Sequence, residues 1–149
     1  MCCMCDGWTL DEAQADLNDR KQRFGWTLQG VEGARPWTYS IGLTERFGHP
    51  ELVMAGVPID AAGAMINALG HRIAAGEDLI DGDHLWEGEI ELEVGGVHPV
   101  HIADGLVGQW EEHYWRHPEV APVELRVLQL LPVPVIERFR LSRPHVTLG

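Results

Sequence analysis

Residues 35–56 read RPWTYSIGLTERFGHPELVMAG, and the rest of the chain is organised around them. Trp37, Tyr39, Ile41 and Leu43 alternate with Thr38, Ser40 and Gly42. Successive side chains of a pleated strand point to opposite faces, so the large residues should form a core face and the small ones a roomier face. Gly42 permits another backbone or a ligand to come close. Residues 44–49 read as a polar, Gly-containing loop. Pro50 cannot donate to a ladder, and Glu51 to Ala55 resumes a strand. The expected product is a sharply turned pair with His49 and Glu51 at its bend.

This stretch also carries the densest chemistry. Tyr39, His49 and Glu51 form the candidate catalytic set: an imidazole serves as acid, base or ligand near neutral pH, a carboxylate orients it, and a phenol stabilises developing negative charge. Trp37, Ser40, Arg46 and the more distant Trp110 are the candidate ligand-binding residues. The pocket would lie between the small-residue face of the strand, the His49 loop and an aromatic helix near Trp110. The competing reading is structural: His-Pro-Glu as a turn, with His49 bonded to backbone, Glu51 facing water and Tyr39 in the core.

Outward from this stretch, Thr9 and Glu12 make a capping box and Leu10, Ala13, Leu17 and Phe24 recur at helical spacing up to Gly25, which predicts a helix. Trp26 to Val31 reads as a strand. Asp60 is the expected N-cap of a second helix reaching about Ala75, with Met65, Leu69 and Ile73 as its buried stripe. Residues 77–88, with His84 and Trp86, read as a loop that is either a lid or simply pinned by Trp86. Residues 89–94 and 97–102 suggest a hairpin through Gly95-Gly96 with Glu91 across from His101. Residues 106–116 predict a short aromatic helix ending near Pro118, in which His113 and His117 stand four apart, as metal sites require and as ordinary surface histidines also do. Val123 to Leu131 reads as a central strand, and residues 136–149 as an irregular basic tail.

The opening MCCMC places three cysteines in the first five residues. Cys2 and Cys5 form one C-x-x-C pair, able to share zinc or iron if the fold supplies further ligands; otherwise they belong to a segment of oxidisable thiols. Clustered cysteines make no disulfide framework and fit a reducing compartment, so a cytoplasmic location is expected, with no apolar run of membrane length. Eleven basic residues against twenty-three acidic ones give a formal charge of −12. That charge repels phosphate backbones and anionic membrane surfaces, and argues against nucleic-acid or membrane partners. No serine elbow, P-loop or dinucleotide fingerprint is present.

The pattern W-x-Y-S-x-G-L-T-E-x-F-G-H-P-E-L at 37–52, the opening M-C-x-M-C-D-G, G-W-x-L-Q-G-V at 25–31 and V-L-Q-L-L at 127–131 occur together. In these blocks the chain resembles a bacterial family, domain of unknown function 4262. The resemblance implies one domain and a fold; it supplies no activity.

These readings predict a single α+β domain over residues 1–149, a mostly antiparallel sheet with two principal helices packed on it, preceded by a Cys-rich segment at 1–8. Three functions follow. The first is a small-molecule-binding protein or enzyme working through the His49, Glu51 and Tyr39 pocket. The second is a non-enzymatic module for a protein partner, and the third a metal protein using Cys2 and Cys5.

Overall fold

The computed structural model describes residues 9–145. Its centre is a six-stranded sheet in the spatial order β1-β2-β3-β6-β5-β4. The strands are β1 (Thr27–Val31), β2 (Trp37–Ile41), β3 (Glu51–Ala55), β4 (His84–Glu87), β5 (Ile90–Gly96) and β6 (Val127–Pro132). All neighbours are antiparallel except β3 and β6, which run parallel with Glu51 opposite Val127. The α+β architecture follows, with two long helices on the sheet.

The first helix, α1 (Leu10–Phe24), begins at Thr9 with the reciprocal capping box to Glu12 and ends at Gly25, whose φ of 91° is left-handed. The second long helix, α3 (Ile59–Ala74), buries Met65, Leu69 and Ile73 with Ala62 and Ile66. Its cap is Pro58 rather than Asp60, which sits in the first turn. The fixed φ of proline suits the entry to a helix, and Asp60 contributes only a favourable charge there.

The two faces of the sheet carry different cores. On one, Leu52, Met54, Leu92, Val94, Leu128 and Leu130 pack against α3 and Trp26. On the other, Tyr39, Ile41, Val53 and Ala55 meet Leu17 of α1, Trp110 and Tyr114 of α5 (Gly108–Arg116), and Leu141. The last of these belongs to the C-terminal stretch, which lies on the sheet. The Phe139 ring covers Gly56, where a Cβ would come within 2.7 Å of it. Gln129 holds the stretch through its amide donor to the Phe139 carbonyl at 2.6 Å and its amide oxygen to the Leu141 N–H at 2.7 Å.

Three local expectations are corrected. Residues 44–49 are not a loop alone: Leu43–Phe47 forms a short helix, α2, between Gly42 and Gly48, both left-handed. Residues 77–88 contain β4, which pairs with β5 with Trp86 opposite Glu91. Trp86 is 60% exposed and pins nothing. Arg72 does so instead, donating to the Trp86 carbonyl at 2.8 Å. The expected hairpin partner at 97–102 is a helix, α4 (Pro99–Ala103), capped by His98, so Glu91 does not face His101. Pro99 has no amide to give a ladder but fits the first helical turn, and β6 takes the place beside β5.

Candidate functional site

Glu51 is fully buried at the start of β3. Its carboxyl accepts from five donors: Ser40 Oγ at 2.7 Å, Trp110 Nε1 at 3.0 Å, and the amides of Gly42, Leu43 and Thr44 at 3.2, 3.2 and 3.3 Å. The three amides are the free N–H groups at the start of α2, where a helix favours negative charge. Burial pushes the Glu51 carboxyl above its ordinary range, and the bonds from Ser40, Trp110 and the amides oppose that shift. The amide and indole N–H groups can only donate, and Ser40 Oγ already accepts from the Leu52 amide at 3.0 Å. Four of the five donors, the three amides and the indole, therefore favour the carboxylate against the cost of burial.

The local sequence explains the cage. Pairing of β2 with β3 stops at Tyr39 opposite Val53. Beyond it the chain turns at Gly42, whose φ of 119° and close approach to the Gly25 carbonyl, 3.0 Å from a would-be Cβ, exclude a side chain. That turn swings the α2 amides onto Glu51.

Tyr39 is buried on the same face, and its hydroxyl accepts the Gln109 amide at 2.9 Å. Burial raises its pKa far above the phenol range, so it stays neutral. Trp37 Nε1 donates to the Leu106 carbonyl at 2.9 Å. Four expected site residues, Trp37, Tyr39, Glu51 and Trp110, therefore meet around residues 106–110, with Ser40 behind Glu51. They form an interior frame that fixes the start of α5.

His49 is not part of this frame. It is buried, with Nδ1 2.8 Å from the Pro50 carbonyl and Nε2 accepting the Leu79 amide at 2.9 Å. Nδ1 fixes the ring on the strand bend and Nε2 ties Leu79 to it. Arg46 is exposed and lies over Gly25, whose would-be Cβ is 3.0 Å from Arg46 Cδ. Cys2 and Cys5 lie outside the described residues.

A second polar cluster joins α1, α2 and α5. Lys21, 4% exposed, is paired with Glu45. The Tyr114 hydroxyl donates to the same carboxylate at 3.0 Å, and Lys21 Nζ lies 5.6 Å from the Tyr114 ring centre. Burial, then the charges of Glu51 and Glu45, push the Tyr114 phenol up. Beside it His113 is wholly buried, and neither of its ring nitrogens has a hydrogen-bond partner among the described residues. Burial and the neighbouring Lys21 charge lower its pKa to about 4. Lys21 gave no signal in the sequence beyond a place on the polar side of an amphipathic helix. Its burial depends on where α5 lands.

Concave surface lies elsewhere. One concavity of about 650 Å³ is lined by Val97, Pro99, Ile102, Glu111, Leu125 and Arg126 among others. Two adjoining grooves of about 330 and 470 Å³ share Arg20, Leu28 and Asn67 beside the β1 edge. Among the described residues no group of three or more His, Cys, Asp or Glu side chains is placed to hold a metal ion. No helix among them is long and apolar enough to cross a membrane.

The fold and the interior frame define an α+β domain whose aromatic helix is anchored to a buried carboxylate. The chain belongs to the family described as Domain of unknown function (DUF4262), whose model matches residues 21–131, a span that includes Lys21, Glu51, Trp110 and His113. No curated protein and no solved structure matches the chain.

Proposed function

We propose that the protein binds a small, largely apolar molecule in the concavity between residues 96–105, the Glu111 side of α5 and residues 125–127. The observation that carries this reading is the clamp on residues 106–110. Trp37, Tyr39 and Glu51 each hold that segment from inside, and Gly105 and Glu111 on either side of it line a space of about 650 Å³. Ligand sites are commonly preformed, mainly apolar and of this size, with a few polar groups setting orientation. Here Glu111 and Arg126 are those groups. In this reading Tyr39 and Glu51 are positioning residues; the catalytic set of Tyr39, Glu51 and His49 is not supported by side chains that are buried and already committed to bonds.

An apolar anionic dye, anilinonaphthalene sulfonate, tests the reading by fluorescence titration. Ile102→Trp should fill the space and weaken dye binding at least tenfold, about 1.4 kcal/mol, while Ala64→Trp, in the groove beside β1, should leave it unchanged. The opposite pattern moves the site to that groove, and a dye indifferent to both substitutions removes the reading. Near-UV circular dichroism checks that each variant keeps its packing.

A further inference from the structure

The groove beside the β1 edge holds a buried polar group that the chain leaves unused. Among the described residues β1 has only β2 as a strand neighbour, and a space of about 470 Å³ lies between it and α3, lined by Asp16, Arg20, Leu28, Thr38, Asp60 and Asn67 among others. Gly30 stands opposite Thr38 in the register of β1 with β2, so no β1 side chain covers Thr38. Gly63 brings α3 down onto β1, where a Cβ would come within 3.2 Å of Leu28 Cδ1.

Thr38 forms the floor of this groove. Its register partner on β3 is Met54, a member of the core under α3, so the Thr38 side chain points to that face. It is only 1% exposed, and its hydroxyl oxygen has no hydrogen-bond partner among the described residues. Buried hydroxyls are nearly always satisfied, and leaving one unpaired costs its desolvation. Asp60 stands at the mouth. α3 starts at Ile59, just after β3 ends at Ala55, so its first turn lies near the end of β3 where Met54 pairs with Thr38. The Asp60 carboxylate is exposed and held by no hydrogen bond or ion pair among the described residues. It also faces an adjoining concavity lined by Glu32. Arg20, the cation of the groove, is already engaged: it donates to Asp16 at 2.8 Å and to the Leu28 carbonyl at 3.1 Å. The oxygens left over at this end can accept, and they carry negative charge.

We propose that the groove binds the protonated amine of a small aliphatic molecule, with the ammonium shared between Asp60 and the Thr38 hydroxyl and the chain lying along Leu28 and Ala64 towards Asn67. An ammonium has three donors and no acceptor, which matches a carboxylate and an unfilled hydroxyl oxygen. Rotation of Thr38 about its Cα–Cβ bond, between staggered positions, presents that oxygen to the groove. From Asp60 to Asn67 the helix rises about 10 Å at ~1.5 Å per residue, room for a short chain. The formal charge of −12 favours a ligand of the same positive sign. This site is separate from the concavity lined by Glu111 and Arg126, and does not rest on the reading of that concavity.

The probe is n-pentylammonium chloride, titrated into the nitrogen-15-labelled full-length chain and followed by amide chemical shifts. Saturable shifts should gather at Gly30, Asp60 and Gly63. Pentan-1-ol, which has the same chain without the charge, should bind at least about fivefold more weakly, and Asp60→Asn should weaken the amine to a similar extent. Thr38→Val keeps the shape and removes the unpaired hydroxyl, so it should fold at least as stably and bind the amine about threefold or more weakly. Ala64→Trp should block the groove. Circular dichroism verifies the fold of each variant. The proposal is overturned by the absence of saturable shifts, or by shifts that gather away from the groove. It is equally overturned by pentanol binding as well as the amine, or by an amine affinity that either Asp60→Asn or Thr38→Val leaves unmoved.

Discussion

The two faces of the sheet are built on different principles. Under α3 the core is mainly hydrocarbon, with Leu52, Met54, Ile66, Leu69, Leu92 and Leu130 nearly or wholly buried, and its polar members, Thr38 and the Trp26 indole on Asn67, are uncharged. Under α1 and α5 the interior holds Glu51, Lys21, His113 and Gln129 among apolar neighbours. A hydrocarbon face is tolerant, because its attraction is non-directional and scales with area. A polar face is specific. Each group needs a partner at one place, so Glu51 and Tyr39 dictate where the start of α5 sits, and Gln129 dictates where residues 139–141 run. On the polar side the position of the α5 start is therefore set to within a hydrogen bond.

Substitutions can break this comparison. The largest effect is expected for Glu51→Leu, which orphans five donors at about 1–3 kcal/mol each. That is as large as the whole stability of an ordinary domain, and urea denaturation should find no cooperative transition. On the hydrocarbon face Leu69→Ala should cost about 2–5 kcal/mol with cooperative folding retained. If the two substitutions cost the same, the faces do not differ as argued.

Acid should act on the polar face alone. Around His113 stand Lys21, Glu45, Tyr114, His117 and Glu119. Its folded pKa of about 4 lies below the unfolded value of about 6.5. The unfolded chain therefore binds the proton first, and stability should fall as pH drops from about 6.5 towards 4, by on the order of 3 kcal/mol. His113→Leu should flatten that part of the pH–stability curve, measured by thermal melts.

Smaller effects sharpen the picture. Gln129→Ala removes both anchors of residues 139–141 and should cost about 1–3 kcal/mol, with faster amide exchange confined to the C-terminal stretch. Arg140, which pairs with Glu93 and Glu137 near the surface, should matter least: Arg140→Gln should cost under about 1 kcal/mol and less still in high salt.

Much of this fold was legible in the sequence. The alternation of residues 37–43, the Thr9 capping box with Gly25, and the Met65, Leu69, Ile73 stripe each combine periodicity with a local stop or start signal, and the elements they imply are present. The errors fell where two local structures compete. Residues 97–102 alternate like a strand, yet Pro99 and His98 start a helix. Residues 84–87 are too short and polar to announce an edge strand. The candidate site was half legible: Trp37, Tyr39, Glu51 and Trp110 were marked as chemically capable and do gather around residues 106–110, but as partners of one another and of backbone.

By itself the sequence determined the α+β class, both long helices and the face on which the β2 aromatics lie, because those follow from spacing within one segment. The tertiary structure decided which carboxylate was caged and which lysine was buried. It also turned His49 towards Leu79 and left the His113 ring nitrogens without a partner among the described residues. Glu51 is completed by Trp110, 59 residues on, Lys21 by Glu45, 24 residues on, and His49 by Leu79, 30 residues on, and a buried polar atom takes its role from what reaches it.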